Sequence, residues 1–146
     1  MTRYIMISSL LSTLLLLCSC DKEKPPATYK NQFLENVDFE NAHLVDADFT
    51  GAHLQRANFK GAVLTSARFT NADLTNANLT NVYADHATFQ EANLTGANLS
   101  GGDFSYTYFE KATLSEVEAK GASFMGSKGL SNETRANLQK AGANLN

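Results

Sequence analysis

Residues 62–81 have the sequence AVLTS-ARFTN-ADLTN-ANLTN, which is four units of five residues that share one pattern. Leu or Phe stands at the centre of each unit, and Ala stands two positions before that centre. The same period runs from residue 34 to residue 124, where 17 of 19 successive centres are Leu or Phe. The two exceptions are Ala84 and Ala119. This period is the feature of the sequence that decides the fold.

A period of five residues fits neither a helix, whose faces recur every 3.6 residues, nor a single strand, whose faces alternate. If each unit makes one straight edge and one corner, four units close a coil of about 20 residues. Residues i and i+20 of successive coils would then lie about 4.8 Å apart, which is the spacing of neighbouring strands. The centre and the small residue would point inward, and the other three positions would face solvent.

Units such as 72–76 (ADLTN) and 97–101 (ANLSG) closely resemble the pentapeptide-repeat family. The resemblance covers nearly the whole chain after its N-terminal segment, although Gln32 departs from the small-residue position. It implies an all-β fold, a right-handed quadrilateral β-helix.

The sequence itself supports a coil of 20 residues. Every fourth centre gives one column of Leu and one column of Phe, which are Leu34, Leu54, Leu74, Leu94 and Leu114, and Phe49, Phe69, Phe89 and Phe109. Opposite charges also recur 20 residues apart, and we expect these pairs to lie one above the other: Glu40 with Lys60, Asp48 with Arg68, and Glu91 with Lys111. Asn58, Asn78 and Asn98 are expected to form one ladder.

The chain divides into four segments. Residues 1–19 are predicted to be a signal peptide, 20–30 a lipidated Cys with a tether, 31–128 the β-helix and 129–146 a C-terminal cap. The five-residue period breaks after residue 126, and Ser131 or Asn132 is expected to be the N-cap of a short capping helix. Residues 27–31 resemble a degenerate first unit with Tyr29 at its centre.

The N-terminus resembles a bacterial lipoprotein signal. Arg3 precedes an apolar stretch that is too short to span a bilayer, and Leu17-Cys18-Ser19-Cys20 follows it. This resemblance to a lipobox implies cleavage before Cys20, acyl chains on Cys20 and a lipid anchor on the periplasmic side of the inner or the outer membrane. An ordinary secretory signal or an uncleaved anchor is the alternative.

The sequence offers no residues for catalysis or for metal binding. Residues 31–128 carry 12 acids and 6 bases, which argues against a nucleic-acid-binding protein. His43, His53 and His86 lack the spacing and the supporting carboxylate of a metal site. We therefore predict no enzyme activity, no cofactor, no metal and no small-molecule substrate.

Four side chains form a candidate partner-binding patch: Tyr83, His86, Tyr106 and Tyr108. All four are predicted to point outward, with His86 and Tyr106 stacked one coil apart, and exposed aromatic side chains on a rigid scaffold often mark a contact site. Scattered surface tyrosines are the alternative interpretation.

The sequence thus predicts an envelope lipoprotein that presents a rigid surface to an unidentified protein partner. The alternative function comes from the family resemblance, because some pentapeptide-repeat proteins resemble DNA in shape and charge and bind DNA gyrase. The export signal and the interspersed bases Arg56, Lys60 and Arg68 argue against that function.

Overall fold

The computed structural model describes residues 26–146, and the predicted signal peptide (1–19) and Cys20 lie outside the described residues. From Thr28 to Lys128, parallel bridges join residues that are 20 positions apart. Each coil therefore contains four of the five-residue units, as the period predicted. Main-chain hydrogen bonds join each coil to the coil after it and to the coil before it. For example, the Phe69 amide donates to the Thr88 carbonyl of the next coil (2.7 Å), and the Arg68 amide donates to the Ala47 carbonyl of the preceding coil (2.9 Å).

The bridges form four ladders along the coil, each built from one residue per unit. The first ladder contains Thr28, Asp48, Arg68, Thr88, Tyr108 and Lys128; the second contains Phe33, His53, Asp73, Asn93 and Thr113; the third contains Asp38, Asn58, Asn78, Asn98 and Glu118; and the fourth contains His43, Val63, Tyr83, Asp103, Ser123 and Asn144. Each straight edge pairs through a single residue because a corner follows immediately, so the ladders consist of isolated bridges. The helix α1, Asn132–Lys140, is the one helix among residues 26–146.

The centres of the units fill the interior, and the column of Phe side chains lies in a single file. Tyr29 stacks on Phe49 at 4.7 Å between ring centroids, and Phe49 stacks on Phe69 at 4.9 Å. Phe89 follows at 4.8 Å and Phe109 at 5.3 Å, and no interplanar angle in the file exceeds 8°. This confirms the 20-residue register predicted from the sequence.

Inward side chains compensate one another in size. Ala84 stands where other units carry Leu or Phe, and Val82, two positions earlier, is larger than the usual Ala; both are buried. The next coil reverses the arrangement, with Phe104 at the centre and Gly102 as the small residue. A Cβ atom on Gly102 would lie 2.6 Å from Cε2 of Phe104, so the ring occupies the space that Gly102 leaves.

The corners place one residue of most units at positive φ, and Asn or Gly often occupies that position. At four corners an Asn side chain lies over a Gly one coil later, where a Cβ atom on the Gly would overlap the Asn Oδ1. The pairs are Asn31 with Gly51, Asn41 with Gly61, Asn76 with Gly96, and Asn81 with Gly101. At these corners a Gly therefore accommodates the Asn of the preceding coil.

The three predicted ion pairs are confirmed. Their N–O distances are 3.4 Å for Lys60–Glu40, 2.6 Å for Arg68–Asp48 and 3.2 Å for Lys111–Glu91. The sequence analysis did not foresee the pairs Lys30–Asp48 (3.1 Å) and Arg56–Glu35 (3.3 Å).

The Asn ladder is continuous in its backbone pairing but not in its side-chain hydrogen bonds. Asn78 Nδ2 donates to Asn58 Oδ1 (3.0 Å), whereas Asn98 Nδ2 donates to Glu118 Oε2 (2.6 Å). The amides therefore point in opposite directions along the coil, because a carboxylate in the last coil is a stronger acceptor for Asn98.

The coil begins at Ala27, whereas the sequence analysis placed its boundary at residue 31. The Ala27 carbonyl accepts a hydrogen bond from the Asp48 amide (2.9 Å), and Thr28 pairs with Asp48. The degenerate first unit is thus part of the stack, and the predicted tether of residues 20–30 is correspondingly shorter.

The C-terminal helix has the predicted cap. Ser131 Oγ accepts a hydrogen bond from the Thr134 amide (3.0 Å), and Leu138 is buried against the core. After the helix the chain returns to the coil: Asn144 pairs with Ser123, and the Phe124 amide donates to the Asn144 carbonyl (2.7 Å). The sequence analysis assigned 129–146 to the cap, whereas residues 143–145 return to the coil, because the helix changes the spacing before that segment.

None of the helical structure in residues 26–146 has both the length and the apolar character needed to cross a bilayer.

Candidate functional site

The four residues of the aromatic patch lie around one corner of the coil. Tyr83 is on the fourth ladder and Tyr108 is on the first ladder. His86 and Tyr106 occupy the corner between them, in consecutive coils, with φ of 59° and 58°. All four side chains are exposed, Tyr83 most of the three tyrosines at 59%. The coil thus brings together residues that span 26 positions of the sequence.

His86 and Tyr106 stack as the sequence predicted, with ring centroids 5.3 Å apart and an interplanar angle of 11°. In the next coil the same corner is Gly126, and a Cβ atom there would lie 2.7 Å from Cδ1 of Tyr106. The Tyr106 ring therefore extends over Gly126. The missing side chain lets this ring lie along the corner.

Tyr108 already has a cation against its ring. Lys128 follows it on the first ladder, and the Lys128 Nζ lies 5.4 Å from the ring centroid. An ammonium group at this distance is attracted to the face of the ring. Tyr108 is therefore the least exposed tyrosine of the patch, at 38%, and Tyr83 and Tyr106 present more of their side chains to solvent.

The sequence analysis missed two side chains close to this surface. Val45 and Met125 are 44% and 43% exposed, and both follow a centre on the same side of the coil as Tyr83. Reading the position after each centre in steps of 20 would have found them. It also missed Phe33, which is 79% exposed and stacks on His53 of the second ladder with 4.4 Å between ring centroids.

The one buried charged side chain among residues 26–146 is Asp48, which is 5% exposed. Lys30 and Arg68 hold its Oδ2 from the two adjacent coils, and the Thr50 amide and hydroxyl donate to its Oδ1. Burial alone would raise the pKa of Asp48, but the hydrogen bonds from Thr50, Lys30 and Arg68 together lower that pKa far below its usual value. Through its two ion pairs Asp48 links three successive coils.

His43 lies on the fourth ladder, His53 on the second and His86 at a corner. Across residues 26–146, no three side chains of His, Cys, Asp or Glu come close enough to hold a metal ion.

Comparison with known proteins gives a family match and several similar structures. The model of pentapeptide repeats matches in overlapping segments, 34–71, 42–81, 62–101 and 92–128. A search of curated proteins finds no significant match.

Three similar solved structures illustrate the comparison. A pentapeptide repeat protein from the Arabidopsis thaliana thylakoid lumen is 31% identical, with 81% of this chain and 76% of that chain covered and a TM-score of 0.39. One from the cyanobacterium Cyanothece 51142 is 20% identical, with coverages of 67% and 85% and a TM-score of 0.44. Trypsin-treated QnrB1, a plasmid-mediated fluoroquinolone resistance protein, is 22% identical, with coverages of 77% and 69% and a TM-score of 0.45.

The family match spans most of the stack of bridges, and the similar solved structures are right-handed β-helices of pentapeptide repeats. The chain belongs to the pentapeptide-repeat family.

Proposed function

We propose that this protein is a non-enzymatic lipoprotein of the bacterial envelope whose rigid coil, quadrilateral in cross-section, presents a surface for protein–protein interaction. Its partners are the membrane, through the lipid on Cys20, and an unidentified protein. It uses no cofactor and binds neither nucleic acid nor a small-molecule substrate.

The observation that carries this proposal is the aromatic patch. Tyr83 and Tyr106 are 59% and 48% exposed, and the His86–Tyr106 stack holds Tyr106 at a corner of the coil. Large aromatic side chains that are fixed before binding lose little conformational entropy when a partner covers them. The stacked coils beneath the patch are held by main-chain hydrogen bonds in each unit.

The anchor follows from the lipobox-like sequence that ends at Cys20. Ala27, where the coil begins, is seven positions after Cys20. Because an extended chain spans at most about 3.6 Å per residue, the coil would lie within about 25 Å of the lipid. The partner is therefore expected at or near the membrane surface.

The alternative function, binding to DNA gyrase as a mimic of DNA, fits the surface less well. Lys and Arg side chains pair with acids along the coil, as in Arg56–Glu35 and Lys60–Glu40, so the negative charge is not continuous. Recovery of an unprocessed chain from the cytoplasm together with gyrase would favour the alternative.

The test is crosslinking in intact bacteria that express the full chain, followed by mass spectrometry of the proteins captured with it. The double variant Tyr106→Ser/Tyr108→Ser is expected to lose the captured partner. Phe33→Ser removes a more exposed aromatic side chain from the second ladder and is expected to keep the partner. If both variants capture the partner equally well, the aromatic patch is not the surface that binds the partner.

The same cells test the anchor. Radiolabelled palmitate is expected to enter the wild-type chain and the Cys18→Ser control but not Cys20→Ser. Globomycin, which blocks the lipoprotein signal peptidase, is expected to leave a longer precursor. A Cys20→Ser chain that still incorporates palmitate would contradict the proposed lipid site.

A further inference from the structure

One side of the coil differs from the others in its charges. We define the fourth face as the outward side chains of segments 43–46, 63–66, 83–86, 103–106 and 123–126, whose sequences are HLVD, VLTS, YADH, DFSY and SFMG. It contains three acids, Asp46, Asp85 and Asp103, and no Lys or Arg. In residues 26–146 all five ion pairs lie on the other three sides.

The fourth face also carries most of the exposed apolar side chains. Six large apolar or aromatic side chains are exposed in residues 26–146, and four of them belong to this face: Val45, Tyr83, Tyr106 and Met125. Tyr83, Tyr106 and Met125 form a strip over three successive coils, Val45 lies two coils before Tyr83, and Phe33 stands alone on the second side. Such a strip is typical of a surface that a partner covers.

The acids and the aromatic rings of this face are neighbours. Asp103 follows Tyr83 on the fourth ladder, so a carboxylate is stacked one coil away from an exposed phenol ring. Asp85 and Asp103 lie next to the patch and are held in place: Asp85 Oδ1 accepts from the Thr65 hydroxyl (2.7 Å), and Asp103 Oδ1 accepts from the Ser105 amide (3.0 Å). Fixed carboxylates beside exposed rings suit a cation, which both groups attract.

From these observations we infer that the fourth face binds a segment of a partner protein that carries Arg or Lys together with apolar side chains. The inference rests on the proposed function, since it names the chemistry of the partner for the same patch. The cations of the segment pair with Asp85 and Asp103, and its apolar side chains cover Tyr83, Val45 and Met125. An anionic membrane surface or a nucleic acid would instead be repelled by Asp46, Asp85 and Asp103, because they carry the same sign of charge.

The test uses the full chain in detergent micelles and a fluorescently labelled peptide of ten residues in which Arg and Leu alternate. Binding is followed by anisotropy. The double variant Asp85→Asn/Asp103→Asn is expected to weaken binding about tenfold, because it removes two charge pairs between half-buried carboxylates and the peptide. The matched control Asp38→Asn/Glu118→Gln removes the same charge from the third ladder and is expected to bind as the wild type does.

Two outcomes would overturn the inference: equal binding by the two double variants, or equal binding of a peptide with Glu in place of Arg. The proposed function is judged separately by capture in cells. If Asp85→Asn/Asp103→Asn keeps a partner that Tyr106→Ser/Tyr108→Ser loses, the docking surface stands and the inferred cationic chemistry fails.

Discussion

The two ends of the coil are finished in different ways. At the C-terminal end α1 places Leu138 against the core, where it is 1% exposed. At the N-terminal end Tyr29 is half-buried on Phe49, and Phe33 remains 79% exposed. One end therefore buries an apolar side chain of a helix, and the other continues the repeat with an aromatic side chain.

The main chain shows the same contrast. The last coil receives the returning chain, so that the Gly121 amide donates to the Gly142 carbonyl (2.8 Å). In the first coil, the amides of Phe33, Asp38 and His43 have no main-chain acceptor within residues 26–146. The first coil still donates main-chain hydrogen bonds to the second, for example from the Leu34 amide to the His53 carbonyl (2.7 Å). Asp48 adds a side-chain link, because it binds Lys30 below and Arg68 above and so joins three coils. The C-terminal end thus gains apolar burial from a helix, and the N-terminal end gains a charge cluster.

The largest effect is expected from Leu138→Ala. Removing a fully buried Leu costs about 2–5 kcal/mol of the free energy of unfolding, through lost burial and the cavity left behind. In a solenoid, where each coil contacts only its neighbours, this loss is expected to be local. Hydrogen exchange should accelerate in residues 107–146 and change little in the first coil.

Gln139→Ala is the matched control, since Gln139 is exposed on the same helix and its truncation should change stability by less than about 0.5 kcal/mol. Equal destabilisation by the two variants would mean that the burial of Leu138 does not stabilise the C-terminal end of the coil.

The next effect is expected from Asp48→Asn, which should reduce the free energy of unfolding by about 1.5–3 kcal/mol at pH 7, because two cations lose a charged acceptor. The pKa of Asp48 is lower in the folded chain than in the unfolded chain, so its stabilising contribution is present above an unfolded pKa of about 3.9 and is lost as the pH falls further. The difference between wild type and variant, measured by urea unfolding, should therefore shrink below about pH 4.

Asp38→Asn serves as the comparison for this change. Asp38 also lies in the first coil, but it is exposed and accepts its hydrogen bond from the neutral Asn58 side chain (3.0 Å). Its replacement should change stability little at any pH. If the free energies of unfolding of wild type and Asp48→Asn differ by a constant amount down to pH 3, the charge cluster does not stabilise the N-terminal end as described.

The smallest effect is expected from Ser131→Ala, which removes the N-cap of α1 and should cost about 1 kcal/mol. Ser131→Asp should restore most of the loss, because its carboxylate can accept the same bond from the Thr134 amide and favours the helix N-terminus. Thermal unfolding of the three proteins measures both effects. If the Asp variant is no more stable than the Ala variant, the cap does not hold the helix in place.

The N-terminal and C-terminal segments show how far local pattern predicts this fold. Tyr29 was recognised at the centre of the first unit because it keeps the five-residue spacing from Leu34. Asn144 was not recognised as part of the fourth ladder, since the nine residues of α1 intervene and its bridge to Ser123 spans 21 positions. A fixed five-residue period can be extended along the sequence as long as nothing interrupts it. An inserted helix shifts the numbering of the residues that follow it, although those residues can still pair with the preceding coil.

The candidate site shows the same limit. Tyr83, His86, Tyr106 and Tyr108 follow from counting in steps of 20, because every outward position has a defined place in the coil. That Lys128 lies against Tyr108 while Tyr83 remains free depends on rotamers, which the period does not specify. Within residues 26–146 the fourth face has no ion pair, and this difference appears only when all sides of the coil are compared.

By itself, the sequence determined the coil: an apolar side chain every fifth residue fits one arrangement in which i and i+20 stack, because any other register would expose Phe and Leu to water. How each end is closed and which outward side chains stay uncovered are set by the tertiary structure. The 20-residue period predicts which outward positions are neighbours, but neither the return of the chain after α1 nor the rotamers of exposed side chains follow that period.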